Sequence, residues 1–354
     1  MENSFFIYTD KGIKVEIERF HICSWEFNNN SSLVEFGFEV SKESLNNGSL
    51  TIFLFIPWVE KSCETKDFYD RLRIPENSRF IFNDSVTRTD SLDGGRNKSG
   101  VIHKFSGRNE LCILPSTIKI NEDKIVSITL NLQPYEEYKS DSKPNVYFRF
   151  SIKPTVPYIS MRKRGISKST IIYDIKINER RNIPDDKVAY FIDKSLCNIK
   201  NCFSFNIVPN KYDIVFFDNS SLKNVRTLEY ESFNKYLGDK RVKKDELIVV
   251  FNKKQNSESF SFFSIYSIER IGPGQFALAI LINIVCGVLL FVPAYRQSFT
   301  PELSFSQVWS KLPFEIVLAL LIALATLLYF VWPTVQSILV KFTNWIANKL
   351  SRKK

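Results

Sequence analysis

Histidine is almost missing from this chain: His21 and His103 are the only two in 354 residues. A His-rich metal centre is therefore not expected. Serine–histidine or cysteine–histidine catalysis would have to use one of these two, and both fall in strand-like stretches. Glycine is scarce as well, at 12 residues, which leaves little material for a loop that cradles phosphates. No Gly-x-Gly-x-x-Gly, Walker-type loop, Gly-x-Ser-x-Gly or His-Glu-x-x-His is present. Asp185-Asp186 and Glu136-Glu137 are adjacent carboxylates, but neighbours on an extended chain point to opposite faces and suit solvated loops. These absences argue against an enzyme, and no cofactor or metal is expected.

Cysteine pairs are lacking too. Cys23, Cys63, Cys112, Cys197, Cys202 and Cys286 include no Cys-x-x-Cys, and Cys286 falls inside an apolar run. Scattered in this way, they read as reduced thiols in a reducing compartment. The N-terminus has no basic region and no apolar stretch of signal-peptide length, so the N-terminal domain is expected to remain in the cytoplasm. Asn29, Asn47, Asn83, Asn97 and Asn219 open glycosylation-type triplets, but in a chain rich in Asn and Ser these carry little weight.

Charge is abundant but uneven. Residues 1–270 hold 41 Lys/Arg and 36 Asp/Glu, whereas residues 271–354 hold 7 and 2. The second segment also holds the two long apolar runs. A soluble part and a membrane part therefore meet near Gly272-Pro273-Gly274. Within the soluble part, residues 1–150 carry 19 basic and 22 acidic groups, and residues 151–270 carry 22 and 14. That excess is either a thin solubilising coat or the footprint of an anionic partner.

The first apolar run spans residues 276–295. At about 1.5 Å per residue it reaches roughly 30 Å, the thickness of a hydrocarbon core. The second spans residues 314–335, with Glu315 at its start and Tyr329 and Trp332 towards its end, where aromatic rings favour the interface. Lys341, Lys349, Arg352, Lys353 and Lys354 follow it, while Arg296 and Lys311 alone lie between the runs. The basic excess puts the C-terminus in the cytoplasm, and two crossings put the N-terminal domain on the same side. The expected location is a membrane, with both termini cytoplasmic. Thr300-Pro301-Glu302 resembles a helix start and predicts a short helix towards Trp309. Residues 336–354 read as a basic amphipathic helix that lies on the cytoplasmic leaflet, its five cations at the membrane surface, or continues the second span.

Ala279, Asn283 and Gly287 share one face of the first run, as do Ala319, Ala323 and Thr326 on the second. Small residues let backbones approach, and a buried Asn seeks a hydrogen-bonding partner, so these faces serve helix packing or line a pore. Two spans cannot enclose a channel alone. A pore requires a homo-oligomer.

Before residue 270 the pattern is strand after strand. Val34–Val40 and Val146–Ile152 alternate cleanly. Further strands are predicted at Ile13–Ile17, Leu50–Ile56, Ile125–Leu132, Ile171–Ile177, Phe203–Val208, Ile214–Phe217, Leu247–Phe251 and Phe260–Ile268. Short helical pieces are predicted around 59–73 and 230–238. Many short strands divided by turn residues indicate a mainly β, sandwich-like or barrel-like domain. A break near Lys153, where the charge also changes sign, suggests two lobes, 1–152 and 153–270, ahead of the two-helix transmembrane hairpin at 271–335.

Four basic groups mark candidate anion contacts: Arg162, Lys163 and Arg164 with Lys168; Arg180 and Arg181; Lys240, Arg241, Lys243 and Lys244; and Lys253 with Lys254. Tyr158, Tyr212 and Tyr236 lie nearby in sequence and could stack on bases. Arg162–Lys168 is the preferred site for a soluble anion, and the last two groups suit lipid headgroups better.

A cytoplasmic β-rich domain on a two-helix anchor, with no catalytic residues, resembles the membrane effectors of bacterial anti-phage defence. Two-span effectors of cyclic-oligonucleotide signalling are similar, although those often carry the spans first. The membrane effector of the Hailong system is the nearer likeness. The resemblance covers the architecture of the whole chain and no motif within it. It implies a homo-oligomeric channel gated by a nucleotide or short oligonucleotide, together with a partner protein that makes the ligand. The alternative is a non-enzymatic, membrane-anchored module that binds a protein.

Overall fold

Alternating apolar residues force strands to stack face to face, and here they build two large sheets. The computed structural model describes residues 3–28, 31–45, 48–96, 98–139, 142–155, 159–164, 168–269, 273–299 and 304–328. Two compact units make up the chain: Met1–Arg164 with Ser169–Ile268, and Glu269–Lys354 with Gly165–Lys168.

In the first unit, one sheet runs β16 (Asp213–Phe217), β19 (Phe260–Glu269), β13 (Lys168–Ile177), β1 (Asn3–Asp10), β4 (Ser49–Phe55), β10 (Ile125–Asn131) and β9 (Ser116–Ile120). β12 (Met161–Arg164) pairs with β13, and β14 (Lys194–Leu196) with β1. The other sheet runs β17 (Leu222–Thr227), β18 (Leu247–Gln255), β15 (Asn198–Pro209), β2 (Glu16–Glu26), β3 (Ser32–Val40), β11 (Asn145–Lys153), β8 (Leu111–Ile113), β7 (Val101–Phe105) and β6 (Val86–Ser91), with β5 (Glu64–Asp67) on β11. The pairs β1–β13 and β2–β15 are parallel. Each joins a strand from before residue 153 to one from after it. The change of charge near Lys153 is thus no boundary between lobes, because both halves interleave in both sheets.

The main core lies between the sheets. Phe20, Ile22, Phe36, Phe38, Phe148 and Phe150 project inward from β2, β3 and β11, and all are buried. Phe5 of β1 meets Phe36 edge to face at 5.8 Å, and Phe38 stacks on Phe148 at 4.8 Å. Burying rings of this size contributes about 2–3 kcal/mol each.

A second hydrophobic cluster covers the opposite face of the β2–β3–β11 sheet, where α1 (Tyr69–Leu72), α2 (Pro75–Phe82) and α5 (Tyr230–Leu237) lie. The alternation of Val34–Val40 implies one wet face, yet every residue of β3 is buried. The helices close over the polar side, so Glu35 must find its partners inside. Its Oε1 accepts from Trp25 Nε1 at 2.6 Å, and its Oε2 accepts from Arg149 Nε and Tyr236 Oη, each at 2.8 Å. The Arg149 guanidinium also donates to Cys23 Sγ at 3.0 Å. Gly37 is required beneath it, since a Cβ there would collide with the Tyr147 hydroxyl. Burial pushes the Cys23 thiol up to about 12 and holds His21 well below its ordinary value. His103 is likewise structural, bonded to Thr89 Oγ1 and the Leu72 carbonyl at 2.8 Å each. All six cysteines are free, and only Cys286 is exposed.

Smaller helices α3 (Gln133–Glu137) and α4 (Val188–Ile192) fill connections. The second unit holds α6 (Pro273–Gln297), α7 (Phe305–Ser310) and the apolar helix α8 (Phe314–Leu328). Within α6, Leu278–Gln297 is long and apolar enough to cross a membrane, with mean hydropathy 2.4 and no part of it buried. That exposure separates it from the core helix of a soluble domain. α8 covers about 22 Å at 1.5 Å per residue, and residues 329–335 of the expected second crossing lie outside the described residues. The short helix between them is capped by Ser304, whose capping box with Gln307 opens it at Phe305; the expected start at Thr300-Pro301-Glu302 lies outside the described residues.

Replacing Arg149 by Met should strand a buried carboxylate and lower stability by about 3–5 kcal/mol. Urea unfolding of the full chain in detergent, followed by Trp fluorescence, measures this. Glu35→Gln combined with Arg149→Met should recover most of the loss.

Candidate functional site

The preferred anion cluster does not survive folding as a cluster. On β12 the residues alternate, so Arg162 turns inward and Lys163 outward. Arg162 forms an ion pair with Glu26, a fully buried carboxylate that also accepts from Ser160 Oγ. Its charge balances the interior. Arg164 lies opposite Ser169 in the β12–β13 ladder, and Lys168 is exposed at the start of β13. Arg180 and Arg181 follow the other end of that strand, about 30 Å away at 3.3 Å per residue, and Arg181 pairs with Glu179. The two groups cannot grip one small ligand. Tyr158 lies outside the described residues. Tyr236 is buried against Glu35 and Tyr212 packs on the core, so Tyr236 has no free face for a base.

Lys240 and Arg241 border a hollow of about 350 Å³ with Lys66, Lys153, Glu64 and Asp239. Here too the charges meet internal partners. Arg241 holds Asp239 through two nitrogens and covers the Phe27 ring at 4.3 Å, and Lys153 lies 3.4 Å from Glu64.

The remaining group is different. A hollow of about 670 Å³ opens where β17, β18 and the β18–β19 hairpin meet. Lys223, Lys253 and Lys254 line it, with Gln255 and the serines at 220, 257, 259 and 261. Each comes there for a local reason. The β17–β18 register slips between Leu222 and Asn224, so Lys223 is the extra residue of a bulge, a device that re-aims a side chain. Lys253 lies opposite Phe203 on β15, with its ammonium 5.5 Å from that ring's centre. Asn256 then adopts φ 55°, a conformation Asn tolerates better than most residues, and turns the chain so that Ser257 to Ser261 return along the rim.

Asp218 anchors the turn that precedes β17. It accepts from Ser220 N and Oγ at 3.0 and 2.6 Å and from Lys254 Nζ at 2.8 Å. The Lys254 ammonium and the Ser220 hydroxyl hold its carboxyl down to about 2, so it stays ionised near neutrality. Among the described residues, Lys223 and Lys253 have no carboxylate partner. Two uncompensated cations and several hydroxyls can hold an anion. No histidine or cysteine lines the hollow. Sequence reading assigned Lys253-Lys254 to lipid and missed Lys223 and the serines. The alternation Ser257, Ser259, Ser261 directly after a lysine pair was the available signal.

In the second unit, Ala279, Asn283 and Gly287 are all exposed on α6, and Asn283 has no hydrogen-bond partner among the described residues. Thr326 on α8 donates to its own Ile322 carbonyl at 2.8 Å, so its hydroxyl needs no partner from another helix. Ala323 is buried and Ala319 partly so. Lys341, Lys349, Arg352, Lys353 and Lys354 lie outside the described residues. No known family model matches the chain, and no curated protein matches it in sequence.

Arg162→Ala should lower unfolding stability by about 3 kcal/mol, through the uncompensated Glu26 charge. Lys163→Ala should leave stability unchanged. Chemical denaturation of both variants separates a structural arginine from a ligand contact.

Proposed function

We propose that the chain is a homo-oligomeric membrane effector. Its β-rich domain binds a nucleotide or short oligonucleotide in the cytoplasm and thereby gates a pore in the inner membrane. This is the activity implied by the resemblance to anti-phage membrane effectors, with the ligand supplied by a partner protein. The observation that carries the reading is one chain joining an uncompensated lysine hollow to an exposed apolar helix that bears an unpartnered amide.

Leu278–Gln297 supplies one crossing. α8 and the residues after it supply the second, and the basic tail then holds both termini in the cytoplasm. In hydrocarbon an Asn side chain without a hydrogen bond is costly, and the same face of a second copy answers it. Several copies would place Asn283 and Gly287 around a common axis. Ligand binding shifts the pore only as far as its affinity differs between two arrangements of the β-domains.

A second reading, a non-conducting membrane-anchored module that docks a protein, has its own observation. Val215, Phe216 and Phe263 are about half exposed on edge strand β16 and its neighbour β19.

Proteoliposomes containing the full chain should release trapped ions in response to a short oligonucleotide, and Asn283→Leu should reduce that release severalfold. A monomer in detergent, or no flux with any nucleotide or oligonucleotide, would overturn the pore and favour the docking module.

A further inference from the structure

We infer that the hollow formed by β17, β18 and the β18–β19 hairpin is a phosphate subsite for a soluble nucleotide or short oligonucleotide. The inference rests on the proposed reading of the sandwich as the ligand-binding half of the protein, and what it adds is the site. Lys223, Lys253 and Lys254 line it; Lys254 is paired with Asp218 of the turn before β17, whereas Lys223 and Lys253 have no carboxylate partner among the described residues. The balance favours a ligand with at least two negative charges. Ser259 and Ser261 on the rim present hydroxyls that can donate to phosphoryl oxygens, while Ser257 Oγ donates to the Ser259 carbonyl at 2.6 Å. At about 670 Å³ the space exceeds one inorganic anion and falls within the range of nucleotide-sized pockets.

The aromatic row beside it indicates a base. Phe203, Phe251 and Phe205 stack along the sheet at 5.9 and 4.6 Å, with interplanar angles of 11° and 5°. All three rings are half-buried. Lys253 stands over Phe203, so one residue borders both the charged hollow and the end of this row. A planar base continuing the row would place its phosphate within reach of Lys253, and stacking of this kind tolerates any base. A phospholipid headgroup has the phosphate but no ring for the row.

The test uses the full chain in phosphatidylcholine nanodiscs and a labelled short oligodeoxyadenylate. Wild type should bind, with roughly a tenfold weakening between about 50 and 200 mM salt, as two or three phosphate contacts require. Lys223→Ala with Lys253→Ala should weaken binding at least tenfold while leaving the thermal unfolding midpoint unchanged. Phe203→Leu should weaken the oligonucleotide severalfold but leave competition by inorganic pyrophosphate as in wild type. Wild-type affinity in the double lysine variant overturns the site. Binding confined to phosphatidylglycerol vesicles, and lost in that variant, overturns the ligand class in favour of a lipid headgroup. Oligonucleotide-driven flux that persists in the double variant removes this site while sparing the pore. Site-dependent binding without flux removes the pore while sparing the site.

Discussion

The carboxylate of Glu35 lies on a sheet face that water cannot reach, and much of the sandwich is arranged around that charge. Trp25 on β2, Arg149 on β11 and Tyr236 on α5 all donate to it. Three elements distant in sequence are thereby locked in one register. A shift of β3 by one residue would exchange Glu35 for Val34 or Phe36 and break every one of these bonds. The same demand explains Gly37, which leaves room for the Tyr147 hydroxyl between His21 and Arg149. It also explains why α5 sits where it does, since the Tyr236 hydroxyl fastens that helix to the sheet.

Glu26 repeats the theme on a smaller scale. It is a second fully buried acid, and Arg162 supplies its counter-charge. The two cases show how the basic residues of the second half are divided. Some neutralise acids contributed by the first half, as Arg162 does and as Lys200 does with Glu16 and Glu18 on β2. Others, Lys163, Lys168, Lys211, Lys240 and Lys244 among them, are exposed and have no carboxylate partner among the described residues, and Lys223 and Lys253, likewise unpaired there, border one hollow. The positive balance of residues 151–270 is thus partly an internal complement to the acidic first half.

Strands with strong alternation were legible in the sequence: Val34–Val40, Leu50–Ile56, Ile125–Leu132 and Val146–Ile152 all correspond to strands of nearly the same extent. The first two strands were not. Asn3–Asp10 is buried on both faces and lacks alternation, and Glu16–Glu26 mixes charged and apolar residues because its outer side meets the helical cover. The helix near 230–238 was visible, whereas of 59–73 only Tyr69–Leu72 is helical and Glu64–Asp67 is strand β5; the function of these helices as a lid over polar side chains was not legible. Site residues were harder still. Runs such as Arg162–Arg164 draw the eye, yet a strand sends alternate members to opposite faces. The lysines that converge in space come from a bulge and a separate strand.

The interleaving of the two halves has a consequence for biosynthesis. β1 and β2 are made first but each waits for a parallel neighbour, β13 or β15, translated well over a hundred residues later. The last strand, β19, ends at Glu269, and the apolar stretch of α6 begins at Leu278. Closure of the sandwich and emergence of the long apolar segment therefore fall close together in translation. The nascent chain must keep its early strands from aggregating until their late partners arrive, while an exposed apolar stretch is already leaving the ribosome.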